Sequence, residues 1–538
     1  MIKSAFILNQ LLLISILNSQ VQFTDITELS GVQSYVQGRG VCVFDFNNDG
    51  QDDFFVCNHQ GDDLLYQNSG GMTFSNIAES AGVSSSGQSQ VAVAADYDAD
   101  GDLDLFVGVT NNLSKLYRNN GNSTFLEVSL EVGIIYTGNI LGAAWGDYNN
   151  DGWVDLYIAN FGGRNYLFQN NEGIFTDVTF EVGAQGPMND FCMQAIFIDF
   201  DNDGDQEILG TQDGYRGNYL LSMQMYGMYA NIAGQANILA YEILQGMGVM
   251  AGDYNRDGWF DLYFTNLHEN ILFRNDGDGT FTNVSEESNS QDQQNSMAWG
   301  SVFIDSDNDG WLDIFSNNES GFGNVPTSYF HNLGDGTFED LTQESGLYLF
   351  NSGYGSAISD LDNDGDSDLL VIGYDTESGV ILFRNDSNGG NWIQINLDSA
   401  GNNRDQIGTV IDVWAQGIIQ RKVIHAGSGF CSQNSFTQNF GLGESQLVDS
   451  LIIHWMDGMT TYYPFEINHV FEISEGELCI PYGEVTNDHA LDILDIVAMV
   501  SNIMGYLEFT PLQDCQADQN VDGAIDVSDV ILLVEWII

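Results

Sequence analysis

Seven times the chain repeats a nine-residue stretch of the form DxDxDGxxD, at intervals of 51 to 55 residues. The copies are DFNNDGQDD from Asp45, DYDADGDLD from Asp96, DYNNDGWVD from Asp147, DFDNDGDQE from Asp199, DYNRDGWFD from Asp253, DSDNDGWLD from Asp305 and DLDNDGDSD from Asp360. A period near 50 residues with short β-type runs constrains the fold strongly. Each unit is one module that buries its faces only against its neighbours, as in a propeller or solenoid.

A second series sets the register. FTDIT at Phe23 is echoed by FSNIA at Phe74, FLEVS at Phe125, FTDVT at Phe175, YANIA at Tyr229, FTNVS at Phe281 and FEDLT at Phe338. Each precedes a carboxylate loop by 22 or 24 residues. Between them a unit holds four strand-like runs, in the second unit VAVAAD, DLFVGV, KLYRN and FLEVS. Four antiparallel strands repeated radially make a β-propeller blade, and seven repeats predict seven blades. The seventh unit lacks its own F-type strand, while FTDIT has no loop before it. Phe23–Thr27 is therefore expected to close the last blade, hiding an otherwise open edge.

The loops predict a cation. Positions one, three, five and nine offer side-chain oxygens, position seven a carbonyl, and glycine at six permits the sharp turn. Calcium takes six to eight hard oxygens in a flexible shell, whereas softer metals favour nitrogen or sulfur. The expected ligands are Asp45, Asn47, Asp49 and Asp53; Asp96, Asp98, Asp100 and Asp104; Asp147, Asn149, Asp151 and Asp155; and Asp199, Asp201, Asp203 and Glu207. The remaining three loops supply Asp253, Asn255, Asp257 and Asp261; Asp305, Asp307, Asp309 and Asp313; and Asp360, Asp362, Asp364 and Asp368. Without a cation, like charges this close repel strongly. Seven Ca²⁺ ions in the propeller are the expectation.

Charge excludes some partners. Twelve Lys and Arg stand against 77 Asp and Glu, a formal −65. Nucleic acid and anionic membranes both recruit proteins through basic residues. Residues 1–22, with Lys3 ahead of an apolar run to Leu17, read as a secretory signal. No later stretch approaches ~18 uninterrupted apolar residues. The mature chain is expected to be exported, secreted or at the cell surface, with no membrane span. Its cysteines show no CxxC spacing and so predict no thiolate zinc site. Cys42 and Cys57 flank the first loop at nearly opposite places and are a candidate bridge. Cys192 and Cys431 are expected to be buried and reduced, or paired with each other.

The unit, with its DYDxDGxxDLF loop and LYRNNG turn, resembles the FG-GAP or VCBS repeat of integrin α-chain propellers. It is still more similar to proteins of the cartilage-acidic-protein type, bacterial and animal, over residues 23–390. That resemblance implies calcium in the acidic loops, with Glu207 making the fourth site looser. Residues 391–478 hold NWIQINL, NNRDQIGTVIDVWAQG, GSGFCSQNSFTQNFGLGE and LIIHWMDGMTTYY, and resemble the ASPIC/UnbV domain, a small β-rich unit. The carried-over positions are Asn403, Arg404, Ile407, Gly408, Phe440 to Gly443, Trp455, Asp457 and Gly458; Met456 stands where the family has proline. We read them as structural.

Residues 479–538 resemble a dockerin, a small helical module with EF-hand-like loops. Asp518, Asn520, Asp522, Asp526 and Asp529 take loop positions one, three, five, nine and twelve of the later copy. Glu484, Thr486, Asp488, Asp492 and Asp495 form a weaker first copy, so one or two further Ca²⁺ are implied, as is a cohesin-like partner. A folded cap or sorting tag is the alternative. Cys479 and Cys515 bracket the first copy and are a candidate bridge across a weakly cored module.

The carboxylate loops occupy one face of the ring, leaving the variable loops on the other. Tyr136, Phe161, Phe322, Tyr348, Phe350 and Tyr354 lie in or near those loops and are candidate ligand contacts. SMQMYGM (222–228) replaces the usual polar turn and is expected to be covered by the ASPIC-like domain. The histidines are scattered, and no nucleophile elbow, zinc motif or phosphate loop is present. The reading is a secreted calcium-binding propeller acting as a binding or adhesion module for a protein or glycan. The alternative is a calcium-dependent polysaccharide lyase built on the same ring.

Overall fold

The computed structural model describes residues 21–538, apart from 34, 188–189, 215–216, 240–244, 293–295, 322, 375–378, 388, 400, 456–457, 463–466, 476–484, 486–492, 508, 510–516, 518–524 and 538. Among these the protein is mainly β, with repeated four-stranded antiparallel sheets consistent with propeller blades.

The second unit shows why the sequence folds this way. Its strands Ser89–Ala95 and Asp104–Val109 are buried along their whole length, so both faces of the sheet are covered by neighbours. That accounts for continuous apolar text instead of alternation. The outermost strand, Phe125–Glu127, buries only Phe125. The other units repeat the pattern. In each, the first strand lies beside the first strand of the next unit, and Gly38–Phe44 of unit one lies beside Gly353–Ser359 of unit seven. Strand Phe23–Asp25 pairs antiparallel with Val380–Asn385, matching Phe23 to Asn385 and Asp25 to Phe383. Units three and four are further joined at one rim, where Phe161 pairs with Phe191 and Gly163 with Asp190.

Residues 391–474 form two sheets. In one, Asn391–Asp398 lies between Gln438–Gly443, antiparallel, and His469–Ser474, parallel. The other runs in the order Ile418–Val423, Val410–Ala415, Ser450–Trp455, Gly458–Tyr462. Further on, helices Ile493–Ile503 and Val527–Ile537 share a small core of Val485, Met499, Ala517 and Leu533. Among the described residues no helix is long and apolar enough to cross a membrane.

A segment of the second domain fills the hub of the ring. Within residues 426–435 the backbone touches the innermost strand of unit after unit. Trp145 N donates to Ala426 O (2.9 Å), Val249 and Gly429 exchange two bonds (2.9 and 2.8 Å), and Gln433 N donates to Val41 O (2.9 Å). Ala94 N donates to Gln433 Oε1 (2.8 Å), Cys431 N to Gln194 Oε1 (3.2 Å) and Ile358 N to Asn434 Oδ1 (3.1 Å). Unit six contributes Trp299, whose ring lies 5.0 Å from that of Phe430. Glycine is required here: a Cβ on Gly427 (φ +110°) would sit 2.4 Å from Ala143 O.

Several expectations need correction. Cys42 and Cys57 are free and buried. Cys42 lies opposite Phe55, and the irregularity between Gly38 and Val41 takes Cys57 out of its register. Cys192 and Cys431, by contrast, are buried thiols, the first of the two states expected for them. Tyr136 and Tyr354 are buried rather than displayed. Tyr136 packs edge-on against Tyr166, and Tyr354 packs on Trp299 with the Arg39 guanidinium 3.8 Å from its ring centroid. Phe161 stacks on Phe191 at 4.6 Å, at the rim where units three and four join. Tyr348 and Phe350 are 52% and 44% exposed. The SMQMYGM turn is uncovered: Tyr226 is 96% exposed, and Met225 and Met228 are exposed beside it.

Candidate metal centre

Each carboxylate loop connects the first two strands of its unit and folds round the first Asp. Asp96 accepts from Asp100 N (3.1 Å) and Gly101 N (2.9 Å). Asp147 accepts from Asp151 N and Gly152 N, and Asp253 from Asp257 N and Gly258 N, in the same way. All seven position-six glycines have φ between +79° and +97°. Position four is also left-handed, from Asn308 at +52° to Asn363 at +58°, and it holds Ala99 and Arg256 as well as asparagines. Non-glycine residues held there signal a constrained site.

The loops differ in how many carboxylates they bring together. Oxygens of Asp96, Asp98 and Asp104 lie within 4.8 Å of one another, as do those of Asp199, Asp201 and Asp203, of Asp305, Asp307 and Asp309, and of Asp360, Asp362 and Asp368. Glu207 is outside the cluster of its own loop, and its Oε2 accepts from Phe200 N at 3.5 Å. Loops one and three carry Asn at position three, and that amide bonds the position-five carboxylate: Asn47 to Asp49 at 2.9 Å and Asn149 to Asp151 at 2.8 Å. Asn47 and Asn149 also accept from the position-five backbone, Asp49 N and Asp151 N, as Asn255 of loop five does from Asp257 N at 3.0 Å.

These sites fit a hard divalent cation. Asp53 Oδ2, Asp98 Oδ1, Asp201 Oδ1, Asp261 Oδ2, Asp305 Oδ1 and Asp362 Oδ1 are buried without a hydrogen-bond partner among the described residues. A buried carboxylate oxygen left this way is costly unless something positive meets it. Burial pushes Asp53 and Glu207 up to about 9, Asp96 and Asp253 to about 7, and Asp147 and Asp199 to about 6, with neighbouring carboxylates adding to the effect. Asp104, Asp155, Asp261, Asp305 and Asp368 are raised well above the usual range by burial first. The buried all-oxygen clusters could hold a metal ion such as Ca²⁺.

A residue type absent from the ligand expectations ties the loops to one another. The third strand ends in Asn in six units. In unit three Asn170 N donates to Asp155 Oδ1 (2.7 Å), while Asn170 Nδ2 donates to Val154 O of its own loop (3.1 Å) and to Tyr97 O of the preceding unit's loop (2.8 Å). Asn119 reaches Phe46 O, Asn275 reaches Phe200 O, Asn332 reaches Tyr254 O and Asn385 reaches Ser306 O. Asn68 of unit one reaches Leu361 O of unit seven. The signal was present in the sequence as LYQN, LYRN, LFQN, LFRN, YFHN and LFRN.

The second domain sits on this face. Arg404 Nη1 donates to Gly101 O (2.7 Å), and Asp405 accepts from Asp96 N (3.1 Å). Arg421 Nη1 donates to Gly258 O (2.8 Å), Gln394 Nε2 to Asp360 Oδ2 (2.7 Å) and Gly441 N to Asp305 Oδ2 (3.1 Å). A Cβ on Gly408 would meet Gln206 Nε2 at 2.2 Å. Several motif positions of that domain are thus its docking contacts. A cavity of about 410 Å³ remains between loops one, six and seven and residues such as Gln394, Lys422, His425 and Ser435.

Elsewhere the expected residues are only partly described. Phe322, Glu484, Thr486, Asp488, Asp492, Asp518, Asn520, Asp522, Cys479 and Cys515 lie outside the described residues. Asp495 Oδ1 accepts from Val485 N (2.9 Å), and Asp526 N donates to Asp529 Oδ2 (2.8 Å).

Repeated β units, each carrying an acidic loop between its first two strands, define the class. The chain belongs to the FG-GAP-like repeat family, which matches residues 45–107, 96–158, 147–210, 253–316 and 305–371, over half of its length. Residues 399–478 match the ASPIC and UnbV family. The chain is similar to cartilage acidic protein 1 of Mus musculus, 23% identical over 81% of this chain and 73% of that protein. It is also similar to cartilage acidic protein 1 of Xenopus tropicalis, 24% identical over 85% of this chain and 77% of that protein. Among solved structures, one of an Agrocybe aegerita lectin that recognises non-reducing terminal N-acetylglucosamine aligns at 17% identity and TM-score 0.37. It covers 59% of this chain and 83% of its own, a likeness too slight to transfer fold or ligand.

Proposed function

We propose that the chain is a secreted, seven-bladed β-propeller whose acidic loops hold Ca²⁺ and which acts as an extracellular binding or adhesion module. The observation that carries this reading is the set of buried, unpartnered carboxylate oxygens on one face of a closed ring. Calcium there neutralises the loops and stiffens the platform on which residues 391–474 dock. With that face and the hub occupied, the opposite face is left for a protein or glycan, and Tyr348 and Phe350 are its exposed aromatics. The helical pair near the C-terminus serves attachment or sorting, with one or two further Ca²⁺ and a cohesin-like partner as the specific candidate.

The test is direct. Metal analysis of dialysed protein should return about seven calcium ions from the ring, and glycan arrays and extracellular-protein panels should yield a ligand lost on Tyr348→Ala with Phe350→Ala. Fewer than three bound calcium ions would sink the metal reading. Unsaturated products released from acidic polysaccharides, followed by absorbance, would replace the binding module with the lyase alternative.

A further inference from the structure

The residue just before the third-strand Asn occupies the same place in every unit. It is Gln67, Arg118, Gln169, Ser222, Arg274, His331 and Arg384 in units one to seven, with Ser222 placed by strand register because unit four lacks the Asn. Its side chain can reach the carboxylate loop: Gln169 Nε2 lies 3.5 Å from Asp151 Oδ2. Only in unit six is this residue able to give a cation an imidazole nitrogen.

There His331 Nδ1 lies 3.0 Å from Asp313 Oδ1, and ligand atoms of Asp307, Asp313 and His331 fall within 4.8 Å of one another. A second, all-oxygen cluster of Asp305, Asp307 and Asp309 shares Asp307 with it. Asp305 is 4% exposed, and its Oδ1 has no hydrogen-bond partner among the described residues. Two substitutions fix the remaining oxygen of Asp313. Ser306 replaces the Phe, Tyr or Leu found at loop position two elsewhere, and Tyr329 replaces a Leu of the third strand. Both hydroxyls bond Asp313 Oδ2, Tyr329 at 2.7 Å, while Oδ1 accepts from Asn332 N at 2.8 Å and faces His331. Such outer contacts orient a ligand and hold it in place.

We propose that the sixth loop is a mixed nitrogen and oxygen site, built from His331, Asp307 and Asp313 with Asp305 beside them, that takes a divalent transition ion in preference to Ca²⁺. Calcium is served by oxygen donors, whereas imidazole combined with carboxylate suits Zn²⁺ and its neighbours in the first transition row. The proposal rests on reading the loops as cation sites. It adds that one of the seven differs in kind.

The test uses the full chain, stripped of metal, saturated with Ca²⁺ and then titrated with Co²⁺ as a coloured probe and with Zn²⁺. One equivalent of Co²⁺ should bind with a visible d–d spectrum despite the calcium. His331→Gln installs the residue that units one and three carry, so the fold is expected to persist, with its melting curve as control. The variant should lose the Co²⁺ spectrum and weaken Zn²⁺ binding at least about tenfold, the loss that removal of even an outer contact brings. Its calcium stoichiometry should fall by no more than one ion. Calcium binding without a His331-dependent Co²⁺ signal overturns this proposal alone. Absence of calcium binding in both proteins overturns the cation-site reading and this proposal with it.

Discussion

Unit four and the other six units solve the same problem by different means. In six units an asparagine at the end of the third strand stitches the loop of its own unit to the loop of the preceding one. Unit four has Met223 at that place, which can donate no such bond. It also carries Glu207 for Asp and the exposed Met225–Tyr226 turn. At the junction that lacks the stitch, between units three and four, strands of the neighbouring sheets pair at Phe161 with Phe191 and Gly163 with Asp190, where junctions such as five to six and six to seven have single bridges, Leu267 with Met297 and Glu319 with Ser352. Gln206 Oε1 of unit four accepts from Asp147 N of unit three there (3.1 Å), and Asn150 donates to Asp205 (2.8 Å). The Asn150 contact has counterparts in Asn48 to Asp102 and Asn308 to Asp366 at stitched junctions, so this junction keeps the shared loop contact and the backbone pairing but does without the amide.

The comparison can be broken at several levels, beginning with the metal. Removing calcium with a chelator should lower the melting temperature more than any single substitution, because each site filled at a hundred times its Kd adds about 2.7 kcal/mol. Differential scanning calorimetry with and without EDTA measures this, and an unchanged transition would remove calcium from the account.

Next in size is the stitch. Asn170→Ala leaves Tyr97 O and Val154 O without their buried donor and should destabilise by about 2 to 3 kcal/mol in urea unfolding. Met223→Ala removes no hydrogen bond and should cost less. Equal losses would mean that the amide is not what holds the junctions.

A smaller effect concerns pH in the chelated protein. Asp53, Asp96, Asp253 and Glu207 have folded pKa values raised by burial to between about 7 and 9. Groups raised in this way favour the folded state while protonated, and that contribution is lost as pH rises through those values. Metal-free protein should therefore melt lower at pH 9 than at pH 6, and saturating calcium should flatten the difference. A metal-free melting point that rises over this window would contradict the assignment of these groups. The smallest expected change is a gain: Met223→Asn should add up to about 1 kcal/mol if the new amide reaches Tyr148 O as its counterparts do.

Much of this was legible from period and spacing. The seven loops and the four strands of each unit follow from the two interleaved series, because a repeating module must bury the same faces each time. The FTDIT segment is legible for a related reason: it is a fourth-strand sequence with no first three strands ahead of it. Burial of individual aromatics was not legible. Tyr136 and Tyr354 sit in loop text, and nothing local in the sequence shows that Tyr166 or Arg39 comes round from elsewhere to cover them. The Asn stitch was visible as a letter in every copy but one, yet its role depends on a carbonyl 73 to 79 residues away in five units and 293 away in the sixth. The hub segment was hidden for the same reason: GSGFCSQNSF carries no periodicity, and its partners are spread over all the units.

That hub segment has a consequence for how the chain reaches its native state. Translation proceeds from the N-terminus at about 5 to 20 residues per second, so all the inner strands emerge well before residues 426–435 are available to sit among them. The strand Phe23–Asp25 likewise waits for Asn385 before it has a neighbour. Units can collapse pairwise as they appear, but the axle of the wheel arrives last. Assembly should then end in one slow, concerted event governed by the longest loops in the chain.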